Sequence, residues 1–188
     1  MNQPTAHNAN NRALRLDISL CRRCNRFADK DLVLRYFSII SRLGDGVFWY
    51  VLMLLLPFAF GLEALPASLH MGATALCALL LYRRMKRVIK RPRPYTRHDG
   101  VMARIPPLDE FSFPSGHTLH AVAFTTIAVA WLPAMAWLLL PFTFSIALSR
   151  VVLGVHYPSD VIAAAAIGFC LGKASLWLGS LAGLQPPL

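Results

Sequence analysis

Residues 117–148 read HTLHAVAFTTIAVAWLPAMAWLLLPFTFSIAL. No Asp, Glu, Lys or Arg interrupts this run, and Pro133 divides it into two apolar stretches, 117–132 and 134–148. A very tight hairpin at Leu132-Pro133-Ala134 can fold one against the other. Working outward, three further apolar stretches stand at 47–65, 68–82 and 161–184. Several fall short of the roughly 20 residues that cross a hydrocarbon core of about 30 Å. Stretch 68–82 reaches that length if its helix continues through Arg83 to Ile89, where Met85, Val88 and Ile89 keep one side apolar. With 56% of its 188 residues hydrophobic and 15% charged, the chain is too apolar for an ordinary soluble domain. The expected fold is all-α, an integral-membrane helical bundle of five to six spans; the alternative is a soluble bundle with buried helices.

Residues 1–11 are polar, lack a periodic apolar face and read as a disordered tail. No signal-peptide apolar core stands between Met1 and Asp31. Residues 12–46 form a basic segment. Within it Leu32, Tyr36, Phe37, Ile39, Ile40 and Leu43 leave Arg35, Ser38 and Arg42 on one helical face, the pattern of an amphipathic interfacial helix that Gly44-Asp45-Gly46 then breaks. Residues 47–188 follow as a single membrane domain. Pro57 and Pro141 fall inside two of its spans, where each can kink its helix. Gly168 and Gly172 have the spacing that admits a closely packed neighbouring helix.

The formal net charge is +10, but the cations flank apolar spans instead of interleaving with exposed aromatics. Membrane phosphates are therefore the expected partner, and nucleic acid is not. Cys77 and Cys170 lie in apolar spans, and Cys21-Arg22-Arg23-Cys24 has no second ligand pair at zinc spacing. The latter reads as a chance pair in preference to a redox or metal site. The sequence carries no signature of an oligomeric state.

Three motifs sit at the edges of the apolar stretches. In Lys86-Arg87-Val88-Ile89-Lys90-Arg91-Pro92-Arg93-Pro94, an ammonium and a guanidinium fork stand seven residues apart, about two helical turns, before the prolines end the helix. Both suit a phosphoryl group. Pro114-Ser115-Gly116-His117 opens the next span. There Ser115 is a natural helix N-cap, and a glycine-lined helix start lets a phosphate approach backbone N–H groups. His117 on that first turn can reach a bridging oxygen, or it can serve only as a capping or surface residue, whereas His120 reads as packing. The third motif runs from Ser149-Arg150 through Gly154 to His156 and Asp160. Arg150 can stabilise phosphoryl oxygens, and His156 can present one ring nitrogen to phosphorus while Asp160 holds the other. Asp160 as a helix cap, with His156 at an interface, is the plainer reading of that segment alone.

Together the motifs resemble the type 2 phosphatidic acid phosphatase family, with its signature KxxxxxxRP, PSGH and SRxxxxxHxxxD matched at every defining position. The resemblance implies that His156 attacks phosphorus to form a phosphohistidine, oriented by Asp160, while His117 protonates the leaving oxygen and later activates water. It implies that Lys86, Arg93, Arg150, Ser115 and the Gly116 N–H hold the phosphoryl oxygens, with no metal and no other cofactor. No carboxylate cluster suggests a metal site. The substrate is then a membrane lipid phosphate. Small size and a short motif loop look like the bacterial undecaprenyl diphosphate phosphatases; phosphatidic acid, phosphatidylglycerophosphate and lipid-to-lipid phosphotransfer are the enzymatic alternatives. A protein that binds lipid phosphate without turnover needs only the basic cluster, and the paired His117 and His156-Asp160 argue against it. Vanadium haloperoxidases share the pocket pattern but are soluble. The resemblance also implies a bacterial inner membrane with the site facing the extracytoplasmic side. Charge points the other way. Eight basic residues between Arg12 and Arg42 and nine between Arg83 and Arg104 share a side that the positive-inside rule assigns to the cytoplasm.

Overall fold

The computed structural model describes residues 12–184 and Pro186; the expected tail at 1–11 lies outside the described residues. The helices are α1 (Arg12–Arg26), α2 (Asp31–Gly44), α3 (Val47–Phe60), α4 (Leu65–Ile89), the single turn α5 (Pro94–Arg97), α6 (Gly116–Trp131), α7 (Ala136–Val152) and α8 (Pro158–Leu181). All five apolar stretches are helical. Stretch 68–82 does continue through the basic run, because α4 ends only where Lys90 turns left-handed at φ 47° ahead of Pro92. Leu132 and one 3-10 turn at Pro133–Met135 make the tight connection from α6 to α7.

By length and composition, Leu62–Ile89, Pro133–Val152 and Pro158–Leu181 can each cross a membrane, and a fourth span results if α2 and α3, bent by 56° at their junction, count as one. At 14 and 16 residues, α3 and α6 are shorter than these, and at 1.5 Å per residue α6 extends about 24 Å, yet it carries the chain from the end of α4 to the start of α7. Large apolar side chains cover the outside of the bundle, Phe58 at 80%, Trp137 at 91% and Ile162 at 70% exposure among them, which is the surface that hydrocarbon wets. The apolar row of α2, Leu32, Tyr36, Ile39 and Leu43, also faces outward.

The buried core is built around α6, where Phe124, Ile127 and Trp131 meet Trp49 and Leu56 of α3, Met71 of α4, and Leu139 and Ile146 of α7. Lipid is as apolar as leucine, so close backbone contact and hydrogen bonds across helices hold such bundles together. Gly168 and Gly172 supply the first: an added Cβ would stand 2.5 Å from Leu119 O and 2.9 Å from Thr126 Cβ, so α8 lies directly on α6. His70 supplies the second. Its Nδ1 accepts from Trp131 Nε1–H (3.3 Å), which leaves Nε2–H to donate to Ser175 Oγ (2.7 Å) and ties α4, α6 and α8 together.

The chain alternates direction so that α4 and α7 end at the face of the bundle where α6 and α8 begin. The three motifs occupy those ends. Fold topology therefore gathers residues 86, 117, 150 and 156 before any side-chain contact is considered.

Candidate active site

A cavity of about 780 Å³ opens at this face, lined by Lys86, Arg93, Gly116, His117, Arg150 and His156. Six of the eight residues expected from the sequence thus share one wall. Ser115 and Asp160 stand behind it, both fully buried. Lys86, Arg93 and Arg150 are buried to 6%, 1% and 2% exposure, an arrangement that is costly unless an anion is held among them.

Several expected contacts differ in detail. Ser115 caps α6, its Oγ accepting from Thr118 N–H at 3.4 Å and pairing with Thr118 Oγ1 at 3.0 Å, so its hydroxyl serves the helix. His156 Nδ1 lies 3.6 Å from Asp160 Oδ2, beyond hydrogen-bond length. The Asp160 carboxylate is shared instead: Oδ2 accepts from Tyr157 N–H at 3.0 Å and Oδ1 from Arg91 at 2.5 Å. The cap and the partner of His156 are therefore one residue. Burial, reinforced by the charges of Arg150, Arg93, Lys86 and His117, pushes the His156 imidazole well below its ordinary pKa, so the ring is neutral with a lone pair available. His120 packs as expected, against Tyr82 and Phe124, with Nδ1 on Gly116 O at 2.8 Å.

Four residues that the sequence reading did not assign to the site also belong to it. Asp45, in the break between α2 and α3, contacts His117 Nε2 through Oδ1. Gly44 makes this possible, since an added Cβ would stand 3.1 Å from Ile146 of α7. Ser41, one turn earlier, accepts from Arg150. Arg91 lies over the Tyr157 ring at 4.0 Å and joins Asp160 to Asp17 of α1 (2.7 Å). Asp17 also takes Ser159 N–H at 2.9 Å, and Asn25 donates to Val152 O and Met102 O, at 2.9 and 3.0 Å. Cys21 sits beneath His156 O at 3.8 Å, and burial, with the Asp17 charge, pushes its thiol up to about 12. That is an inert thiol. The basic segment is thus more than a membrane anchor, because α1 clamps the loop that carries His156.

The fourth is Asp109. Its carboxylate receives Lys86 Nζ at 2.6 and 2.7 Å and Arg93 at 2.7 Å, while its main-chain O takes Arg93 Nε–H at 2.9 Å. Both cations of the first motif are therefore engaged by this loop. Burial alone would raise the Asp109 carboxyl, but its bonds to Lys86 and the nearby Arg93 charge outweigh that and hold it below the usual carboxylate range.

The PAP2 superfamily sequence model matches residues 63–182, all three motifs included. The chain belongs to this family. Among its relatives, the decaprenylphosphoryl-5-phosphoribose phosphatase of Mycobacterium tuberculosis is 34% identical over 140 residues, covering 71% of this chain and 73% of the relative. The undecaprenyl-diphosphatase BcrC of Bacillus subtilis is 31% identical over 124 residues, 65% and 64% of the two chains. In structure, LpxE of Aquifex aeolicus matches 86% of this chain and 95% of its own length at TM-score 0.70 and 28% identity. The transmembrane PAP2-type phosphatidylglycerolphosphate phosphatase of Bacillus subtilis matches 94% and 90% at TM-score 0.72; at 21% identity it speaks for the fold alone. The chain is an integral-membrane PAP2 phosphatase.

Proposed function

We propose that this phosphatase removes the terminal phosphate of a polyprenyl lipid, and specifically that it converts undecaprenyl diphosphate to undecaprenyl phosphate. The observation that carries the chemistry is the meeting of three buried cations with His117 and His156 around one cavity. Two relatives of similar size act, by name, on polyprenyl-linked phosphates, which supports the lipid class. In this reading His156 forms the bond to phosphorus as the bond to the leaving oxygen breaks. His117 gives that oxygen its proton, then takes one from the water that releases orthophosphate. Arg150, Lys86, Arg93 and the Gly116 N–H stabilise the charge on the transferred group. Asp160 orients His156, and Asp45 sets the ring of His117.

Detergent-solubilised protein assayed with a lipid panel in excess EDTA is expected to release phosphate, with the highest kcat/KM for undecaprenyl diphosphate. Strict dependence on added divalent ion counts against the metal-independent mechanism. A higher kcat/KM for phosphatidylglycerophosphate or for a polyprenylphosphoryl pentose phosphate moves the assignment to that lipid.

We further infer that the site faces the extracytoplasmic side of a bacterial inner membrane, where the pyrophosphate of a used carrier lipid is exposed. With the four native cysteines replaced, a Leu108→Cys variant is expected to react with an impermeant maleimide in intact cells. Protection of that cysteine until the membrane is opened refutes this facing.

A further inference from the structure

We propose that Asp109 is a displaceable counter-ion: its carboxylate occupies the phosphoryl subsite at rest, sets the anion affinity of the site, and returns to expel orthophosphate. The inference rests on the reading of Lys86 and Arg93 as phosphate ligands. An ammonium has three N–H donors. Here Asp109 Oδ1, Asp109 Oδ2 and Phe111 O take Lys86 at 2.6, 2.7 and 3.0 Å, so no donor is left for a substrate. Arg93 gives Nε–H to Asp109 O, one NH2 proton to Asp109 Oδ1 and NH1 to Val155 O, at 2.9, 2.7 and 2.7 Å. A phosphoryl group can bind Lys86 only when the carboxylate leaves, and only then does Arg93, which keeps two N–H donors, regain the rest of its fork.

The burial is asymmetric in the way that a removable plug requires. The cation side chains are 8% and 2% exposed, whereas that of Asp109 is 37% exposed and approaches from the open side. The cations are thus fixed in the wall, and the counter-ion stands between them and solvent. Its segment is anchored at both ends, by Arg104 N–H on Leu153 O (3.0 Å) and by Ser112 N–H on Arg91 O (2.8 Å). Between those anchors Pro106, Pro107, Leu108, Asp109 and Glu110 are all exposed, so the tip can swing without disturbing the helices.

The charge arithmetic gives this a function in a bilayer. Exchanging a carboxylate for the single negative charge of a phosphodiester headgroup leaves the charge balance unchanged, so the abundant diester lipids gain little by entering. A terminal phosphate, near −2 at neutral pH, gains a full extra attraction to buried cations. After transfer, the same competition helps Asp109 displace the product.

The test uses the full-length solubilised protein with two soluble competitors, orthophosphate and dihexanoyl phosphatidylglycerol below its micellar concentration. In Asp109→Asn and Asp109→Ala the inhibition constant for orthophosphate is expected to fall about tenfold, and the short-chain diester, silent against the parent protein, becomes a measurable inhibitor. A residue that merely positions Lys86 and Arg93 gives the opposite sign: orthophosphate binds more weakly once the carboxylate is gone. An unchanged or raised inhibition constant in both variants, with the parent protein inhibited normally, overturns the role of Asp109 alone. A parent protein that turns over substrate but is blind to orthophosphate overturns the anion site itself, and Asp109 with it.

Discussion

His156→Ala is expected to abolish phosphate release, by on the order of 10⁴-fold or more, in a protein that still folds. The ring is 2% exposed and lines the cavity, so truncation enlarges a hollow that already exists. No buried group loses a hydrogen bond, because His156 Nδ1 has no bonded partner and both Asp160 oxygens remain engaged by Arg91 and Tyr157. The backbone is held independently, by His156 N–H on Arg150 O at 3.1 Å. Thermal unfolding of the variant should therefore stay close to that of the parent while a phosphoenzyme trapped by acid-free denaturation disappears. Turnover resembling the parent's sinks the assignment of His156 as nucleophile. So does a phosphoenzyme that persists in the variant.

The effect is large because the other imidazoles that line the cavity are engaged elsewhere, His120 through Nδ1 on Gly116 O at 2.8 Å. His117 is the other imidazole of the expected pair, and its Nε2 is turned to Asp45. Arg150, Lys86 and Arg93 supply charge and hydrogen bonds but no nucleophile. Cations that remain can still bind a phosphate, so the variant should retain competition by orthophosphate. Loss of chemistry with retained binding separates a missing nucleophile from a collapsed site.

How much of this was legible in the sequence follows from what each residue does. Lys86, Arg93, His117, Arg150 and His156 could be read because their spacing is fixed by helix ends, and helix ends are local. The apolar stretches placed α3, α4, α6, α7 and α8 for the same reason. The partners that tune the site come from elsewhere in the chain. Asp45 and His117 are brought together by the α2–α3 corner, and a corner residue between two glycines looks like a turn. Asp109 stands among prolines, where its sequence context suggests only a solvated loop. One signal was available and missed. Asp17, Cys21 and Asn25 recur at i, i+4 and i+8, so in a helix they share one face, opposite a largely arginine-rich one. Read that way, the chance-like cysteine becomes part of a buried seam, and the basic segment acquires a side that packs.

That seam fixes a second large effect, at Gly154. Its φ is +74°, and an added Cβ would stand 2.2 Å from Met102 O and 2.8 Å from Asn25 Nδ2. Left-handed backbone costs a non-glycine residue roughly 1–2 kcal/mol, but the contact with a main-chain oxygen is the larger problem. Met102 cannot retreat freely, because Asn25 Oδ1 accepts from its N–H at 2.8 Å. The side that yields is therefore the loop from Leu153 to His156. Displacing the proposed nucleophile by even about 1 Å can cost on the order of 10²-fold in rate. Gly154→Ala is accordingly expected to lower kcat by about that factor and to reduce thermal stability as well, measured on the solubilised protein. Gly183→Ala is the control, since Gly183 has φ +80° but nothing within 4 Å of its added Cβ. It should show the backbone cost in stability with kcat retained. If the two variants lose activity equally, left-handed strain alone is at work and the clamp formed by α1 does not position His156. If Gly154→Ala keeps kcat within twofold, the loop has room that the close approach of Met102 denies it.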